Sequence, residues 1–169
     1  MASAEDNLMD WLRDAHAMEQ QAETMLTTTA SRLENYPALK SRLETHIEET
    51  REQARLVKSC IDRRGSGTSA MKDISAKAIA TAQGLSGLFV SDEVVKASMA
   101  SYTFEHMEIA SYKCLIAAAD AVGDAETSRI CQTILQQEEA MAAWLAEQLP
   151  QVTRQFLQLT DTPGATAKH

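Results

Sequence analysis

At 169 residues, with 44% apolar side chains but only six glycines and three prolines, the chain can bury one sizeable core and carries little that breaks helices. Its formal net charge of −8 argues against a nucleic-acid surface or attraction to anionic lipid, and no apolar run approaches the roughly 20 residues of a membrane span. The acidic opening residues lack a signal pattern, and Cys60, Cys114 and Cys131 stand at spacings that make neither a disulfide framework nor a zinc signature, so a reducing cytoplasm is the expected setting.

Periodicity and punctuation predict four long helices. The first spans 5–34, with Leu8, Leu12, Ala15, Ala22 and Leu26 on one stripe, and stops at Asn35-Tyr36 because Pro37 disfavours a helical residue before it. Pro37 suits the first turn of a second helix, where its missing N–H costs nothing, and that helix runs to residue 64 before Gly65-Ser66-Gly67. A third helix starts at Ser91-Asp92, both good capping types, and ends at Gly123. The fourth spans 124–149, and Pro150 is expected to open a separate short helix reaching residue 159. Residues 160–169 are small and polar and are expected to form a flexible tail behind a single domain over 1–159.

Very short turns join the first helix to the second and the third to the fourth, so each pair should be an antiparallel hairpin. Between the hairpins lie residues 65–90, with a short helix expected over 70–83. That length permits a crossover along the bundle. Two hairpins joined by one long crossover make an all-α, ferritin-like four-helix bundle.

Acidic residues occupy core slots on every helix. Each helical residue turns about 100°, so every side chain can be placed against the apolar stripe. Glu19 falls between Ala15 and Ala22 on the first stripe, and Glu138 falls between Ile134 and Met141 on the last. On the third helix Glu105 sits in the stripe with Glu108 beside it, whereas His106 points away. On the second, His46 lies just inside the edge of Leu39, Leu43, Ile47, Thr50, Ala54 and Val57, with Glu49 one turn on and Glu48 on the far face. Glu139 lies near the far face of the fourth helix. The inward acids all fall within about four residues, or roughly 6 Å, of their helix midpoints. They should therefore meet in one layer.

A single glutamate at such a position usually reaches water from the edge of a core. Four helices doing so at one depth is a different matter, because buried carboxylates repel one another and lose their hydration. No lysine or arginine is well placed on the stripes to compensate. Divalent iron or manganese accepts such an oxygen-rich set with one nitrogen. Met18, Met25, Met99 and Met141 read as core packing, as do Tyr102, Tyr112 and Trp144, with Tyr112 on the stripe where it can neighbour a metal.

The stretches DWLRDAHAMEQQAE, NYPALKSRLETHIEETREQ, SDEVVKASMASYTFEHMEIASY and LQQEEAMAAWL, in this order and spacing, resemble the YciE/YciF family of bacterial ferritin-like stress proteins, and its YciE side most closely. The resemblance extends from residue 10 to residue 157. It implies a homodimer and a metal layer of Glu19, His46, Glu49, Glu105, Glu108 and Glu138, with Glu139 as a further candidate. The Glu-x-x-His pairs common in dimetal carboxylate proteins are absent, since Glu49 is followed at that spacing by Glu52 and Glu138 by Met141. Two readings follow. One is a di-iron or di-manganese oxidoreductase acting on peroxide or dioxygen. The other is a non-catalytic dimer whose metal layer is structural or buffers iron while its surface binds a partner.

Overall fold

The computed structural model describes residues 2–65 and 92–167, and the short helix expected over 70–83 lies outside them. Four helices make up the described chain: α1 (Ala4–Arg32), α2 (Pro37–Arg63), α3 (Glu93–Ala121) and α4 (Ala125–Thr160). No strand occurs among the described residues.

Local chemistry sets their ends. Ser3 and Asp6 form a reciprocal capping box at the start of α1, satisfying two otherwise orphaned backbone N–H groups. Pro37 occupies the first turn of α2. After α3, Gly123 takes a left-handed φ of 75°, the Asp124 N–H reaches back to Ala119 O at 2.9 Å and the Gly123 N–H to Asp120 O at 3.1 Å. These two bonds satisfy the last carbonyls of α3 and reverse the chain. Asp124 then caps α4 by accepting from the Thr127 N–H.

α1 packs along α2, and α3 along α4, as two hairpins; α1 also packs on α3, and α2 on α4. The direction of each cross-hairpin pair is read from its ends. Arg32, closing α1, makes a two-point ion pair with Glu93, which opens α3. Arg63, closing α2, binds Asp124 at the head of α4 at 3.0 Å. Every neighbouring pair is thus antiparallel, while α2 and α3 lie diagonally and run parallel. A two-residue turn cannot produce that arrangement; a crossover along the bundle does, and this is the ferritin-like topology.

One element differs from the sequence expectation. α4 does not stop at Leu149 but runs unbroken through Pro150 to Thr160. Proline removes one helical hydrogen bond, here the one to Ala146, yet both residues are exposed and water can take the carbonyl. Beyond it Val152 is buried, and Phe156 and Leu159 pack on the core, so tertiary contact carries the helix past the break. After α4 the chain folds back on the α1–α2 turn. Asn35 donates to Thr166 O at 2.8 Å, and the buried Tyr36 hydroxyl donates to Ala167 O at 2.7 Å.

The core is continuous, with Leu8, Leu12, Leu43, Ile134 and Leu145 among its fully buried members. Met18 and Met141 are buried as expected, but Met99 is 55% exposed. It sits about 100° round the helix from Ser98, which does face the core, so the stripe passes it by.

Candidate metal centre

Midway along the bundle the core turns polar. Glu19 and Glu138 are 0% exposed, and His46, Glu105 and Glu108 are 1% exposed. They come from all four helices. Each sits where an apolar side chain would continue its stripe, so the packing that buries the leucines buries these carboxyls with them.

Around His46 the geometry is explicit. Its Nδ1 lies 2.7 Å from Glu49 Oε2, which also accepts from Arg42 at 3.1 Å. Partial burial pushes the Glu49 carboxyl up, but His46 and Arg42 outweigh it and hold the group below its ordinary range. An ionised carboxylate only accepts, so His46 Nδ1 carries a proton. The other ring nitrogen, Nε2, then faces inward, 3.3 Å from Glu105 Oε2 and 3.5 Å from Glu138 Oε2. The donor atoms of His46, Glu105 and Glu138 all lie within 4.8 Å of one another, close enough to share one cation.

Two further side chains arrange the carboxylates. The fully buried Tyr112 hydroxyl donates to Glu19 Oε1. Gln53, 1% exposed on α2, donates its amide to Glu138 Oε1 and, at 3.0 Å, to Gln137. One oxygen of each of Glu19, Glu105 and Glu138 is left buried with no hydrogen-bond donor. Each such atom costs about 1–3 kcal/mol unless something satisfies it.

The electrostatics agree. Burial pushes Glu19 up to about 8, against the pull of Tyr112 and His46. Burial, with the Glu105 and Glu19 charges, pushes Glu138 up to about 10. Glu108 is raised well above the carboxylate range by burial and by Glu19, Glu138 and Glu105. Burial would lower His46, but Glu105 and Glu49 on its two faces raise it overall. Among the described residues no lysine or arginine is buried beside these groups. The residues fit a cation: the donors converge, three oxygens await a partner, and four carboxylates match the charge of two divalent ions.

The seven sequence-predicted residues do not all meet. Glu19, His46, Glu105, Glu108 and Glu138 share the buried layer. Glu49, with its side chain 31% exposed, stands behind His46 rather than beside the other carboxylates. Glu139 is 48% exposed and pairs with Lys113 at 3.1 Å, because one residue past Glu138 turns the side chain about 100° off the stripe. Gln53 was not among the expected residues. The slot between Thr50 and Val57 is read from the sequence as Ala54, but the structure leaves Ala54 only half-buried and turns the neutral Gln53 beside it into the core.

Known structures share this architecture. A protein from Xanthomonas campestris pv. campestris is 38% identical, with the match covering 95% of this chain and 100% of that one at a TM-score of 0.80. YcfI from Rhodopseudomonas palustris is 26% identical over 86% of this chain and 94% of its own, with a TM-score of 0.69. The E. coli stress protein YciF, 22% identical over 88% of this chain and 96% of its own, matches in fold with a TM-score of 0.68. One family model spans residues 3–158, which include all four helices up to the last turn of α4 and every residue of the buried layer, and the chain therefore belongs to the family described as a domain of unknown function, DUF892.

Proposed function

We propose that the buried layer holds two divalent iron or manganese ions and that the loaded protein handles peroxide or dioxygen in a bacterial stress response. The observation that carries this reading is the set of four buried carboxylates with three unpartnered oxygens and no buried lysine or arginine among the described residues. The fold shared with the stress protein YciF, together with the YciE-like sequence stretches, supports the physiological setting. Glu19, His46, Glu105, Glu108 and Glu138 would hold the ions. When bound, such a pair supplies Lewis acidity and two-electron exchange.

The chain's own residues prepare that centre. Glu49 fixes the tautomer of His46 so that Nε2 is free to face inward. Gln53 and Tyr112 each hold one oxygen of a carboxylate and leave the other turned to the layer. The surrounding leucines and isoleucines exclude bulk water, which strengthens every charge interaction inside.

Protein purified without chelator should carry up to two iron or manganese ions per chain by elemental analysis, and Glu138→Ala should lose most of them. Peroxide should disappear in proportion to bound metal. Full occupancy in Glu138→Ala would overturn the site. Metal without turnover would instead support the second reading, a dimer whose layer is structural or buffers iron. That reading is favoured by the single histidine, and by Met99 and Met107, exposed by 55% and 43% on α3 where a partner could cover them.

A further inference from the structure

Cys60 and Cys131 are buried at 1% and 0% exposure, while Cys114 is exposed. Cys60 belongs to α2 and Cys131 to α4, which run antiparallel, and two contacts fix the register between them. Arg63 donates to the Thr127 hydroxyl at 2.6 Å. Further along, Gln53 donates to Gln137 at 3.0 Å and to Glu138. In an antiparallel pair, each step back along one helix is matched by a step forward along its neighbour. Moving inward from the first contact, one helical turn back from Arg63 reaches Cys60, and one turn on from Thr127 reaches Cys131. The second contact keeps the same register, so the two cysteines lie at one level on neighbouring helices, and Cys60 is near enough to act on the Cys131 thiol. Both side chains are small and point into the core, where adjacent helices can approach closely.

From this register we propose that Cys60 and Cys131 are a dithiol that hydrogen peroxide closes into a disulfide, stapling α2 to α4. In the first step a thiolate attacks one peroxide oxygen; the O–O bond breaks, and a sulfenic acid forms with release of hydroxide, which takes up a proton to become water. In the second step the other thiol displaces the sulfenic oxygen, which leaves as water while the S–S bond forms. Two electrons pass from the sulfurs to the peroxide, and the two thiol protons end in the two waters. Burial raises both thiols; at Cys60 the Thr127 hydroxyl and the Arg63 guanidinium pull down against Asp124 and Glu126 and leave it raised, whereas Cys131 is pushed up to about 12. Cys60 is therefore the attacking sulfur and Cys131 the resolving one. Scarce thiolate makes the closure slow.

The staple is independent of whether metal binds the layer, and its test uses metal-free protein. Full-length Cys114→Ser protein is reduced, stripped of metal by chelator and exposed to hydrogen peroxide, with wild type alongside so that modification of exposed Cys114 confirms the dose. Free thiols are then blocked under denaturing conditions and the products mapped by mass spectrometry. The expected result is the loss of two hydrogens, one peptide joining Cys60 to Cys131, and reversal by dithiothreitol. The oxidised protein should also melt several degrees higher, because the bond closes a loop of roughly 70 residues in the unfolded chain. Cys131→Ala in the same background should show neither change. Two blockable thiols after a dose that modifies Cys114, or sulfinic acid on Cys60 without the cross-link, would overturn the proposal.

Discussion

Glu49 and Tyr112 each act on a residue of the layer from behind, and their roles separate by experiment. Replacing Glu49 by Gln removes the charge that holds the proton on His46 Nδ1. Metal affinity should fall by about 10–100-fold with the number of ions per chain unchanged, as expected of a group that orients a ligand. Competition with a coloured chelator measures both quantities, and loss of a whole ion would make Glu49 a direct ligand instead. Tyr112→Phe strips Glu19 Oε1 of its donor and leaves that carboxyl with no partner among the surrounding side chains. The metal-free protein should lose about 1–3 kcal/mol in urea unfolding at a pH where Glu19 is charged. A shift below a few tenths would show that the hydrogen bond does little there. Glu19, Glu105 and Glu138 were legible in the sequence because helical periodicity places them in apolar stripes. Glu49 was legible as a neighbour of the layer but not as a residue behind it, since the Arg42–Glu49–His46 chain depends on side-chain directions that spacing alone leaves open. Glu139 entered only through the family resemblance, and it lies where periodicity places it, off the stripe and paired with Lys113.

The elements owe their limits to a few residues. Gly123 holds a φ of 75°, and no atom lies within 4 Å of the place a Cβ would take, so a side chain there would strain the backbone without colliding. Gly123→Ala should therefore cost about 1–2 kcal/mol in thermal or urea unfolding, with the folded spectrum unchanged. An unaltered stability would mean that the α3–α4 turn relaxes at no cost. The sequence marked this turn clearly, since glycine past a helical stripe is a local signal. At Pro150 the local signal pointed the wrong way. Proline rules describe what the backbone loses, whereas the continuation of α4 depends on Val152 and Phe156 finding the core, which is information from another part of the chain. The pairing of hairpins was legible from turn lengths. That α1 faces α3, and α2 faces α4, emerges from the Arg32–Glu93 and Arg63–Asp124 pairs, which join residues about sixty apart in sequence.

For the molecule as a whole, the layer ties stability to pH and, under the proposed function, to metal. Without metal, Glu19 and Glu138 move from an ordinary value of 4.5 to about 8 and about 10 on folding. An acid raised in this way keeps its proton in the folded chain after the unfolded chain has released it. Its contribution is complete below pH 4.5 and is lost as pH rises through the folded values; raised His46 acts in the same direction. Metal-stripped protein should therefore melt at a higher temperature near pH 5 than at pH 8, whereas metal-loaded protein should hold its stability at pH 8. Melts across that range with and without chelator check the sign. Binding at pH 7 should also release protons, visible as buffer-dependent heats in titration calorimetry, and heats that ignore the buffer would mean the layer is already ionised. The origin of the ligands has a consequence for the newly made chain. One hairpin supplies Glu19 and His46, the other supplies Glu105, Glu108 and Glu138, and neither contains the full set. During synthesis the first hairpin can form while the rest is still being made, but it cannot assemble the site. The last of these carboxylates to leave the ribosome is on α4, so under the proposed function ions would be captured only after translation has passed it, and their capture would report that both halves of the fold have docked.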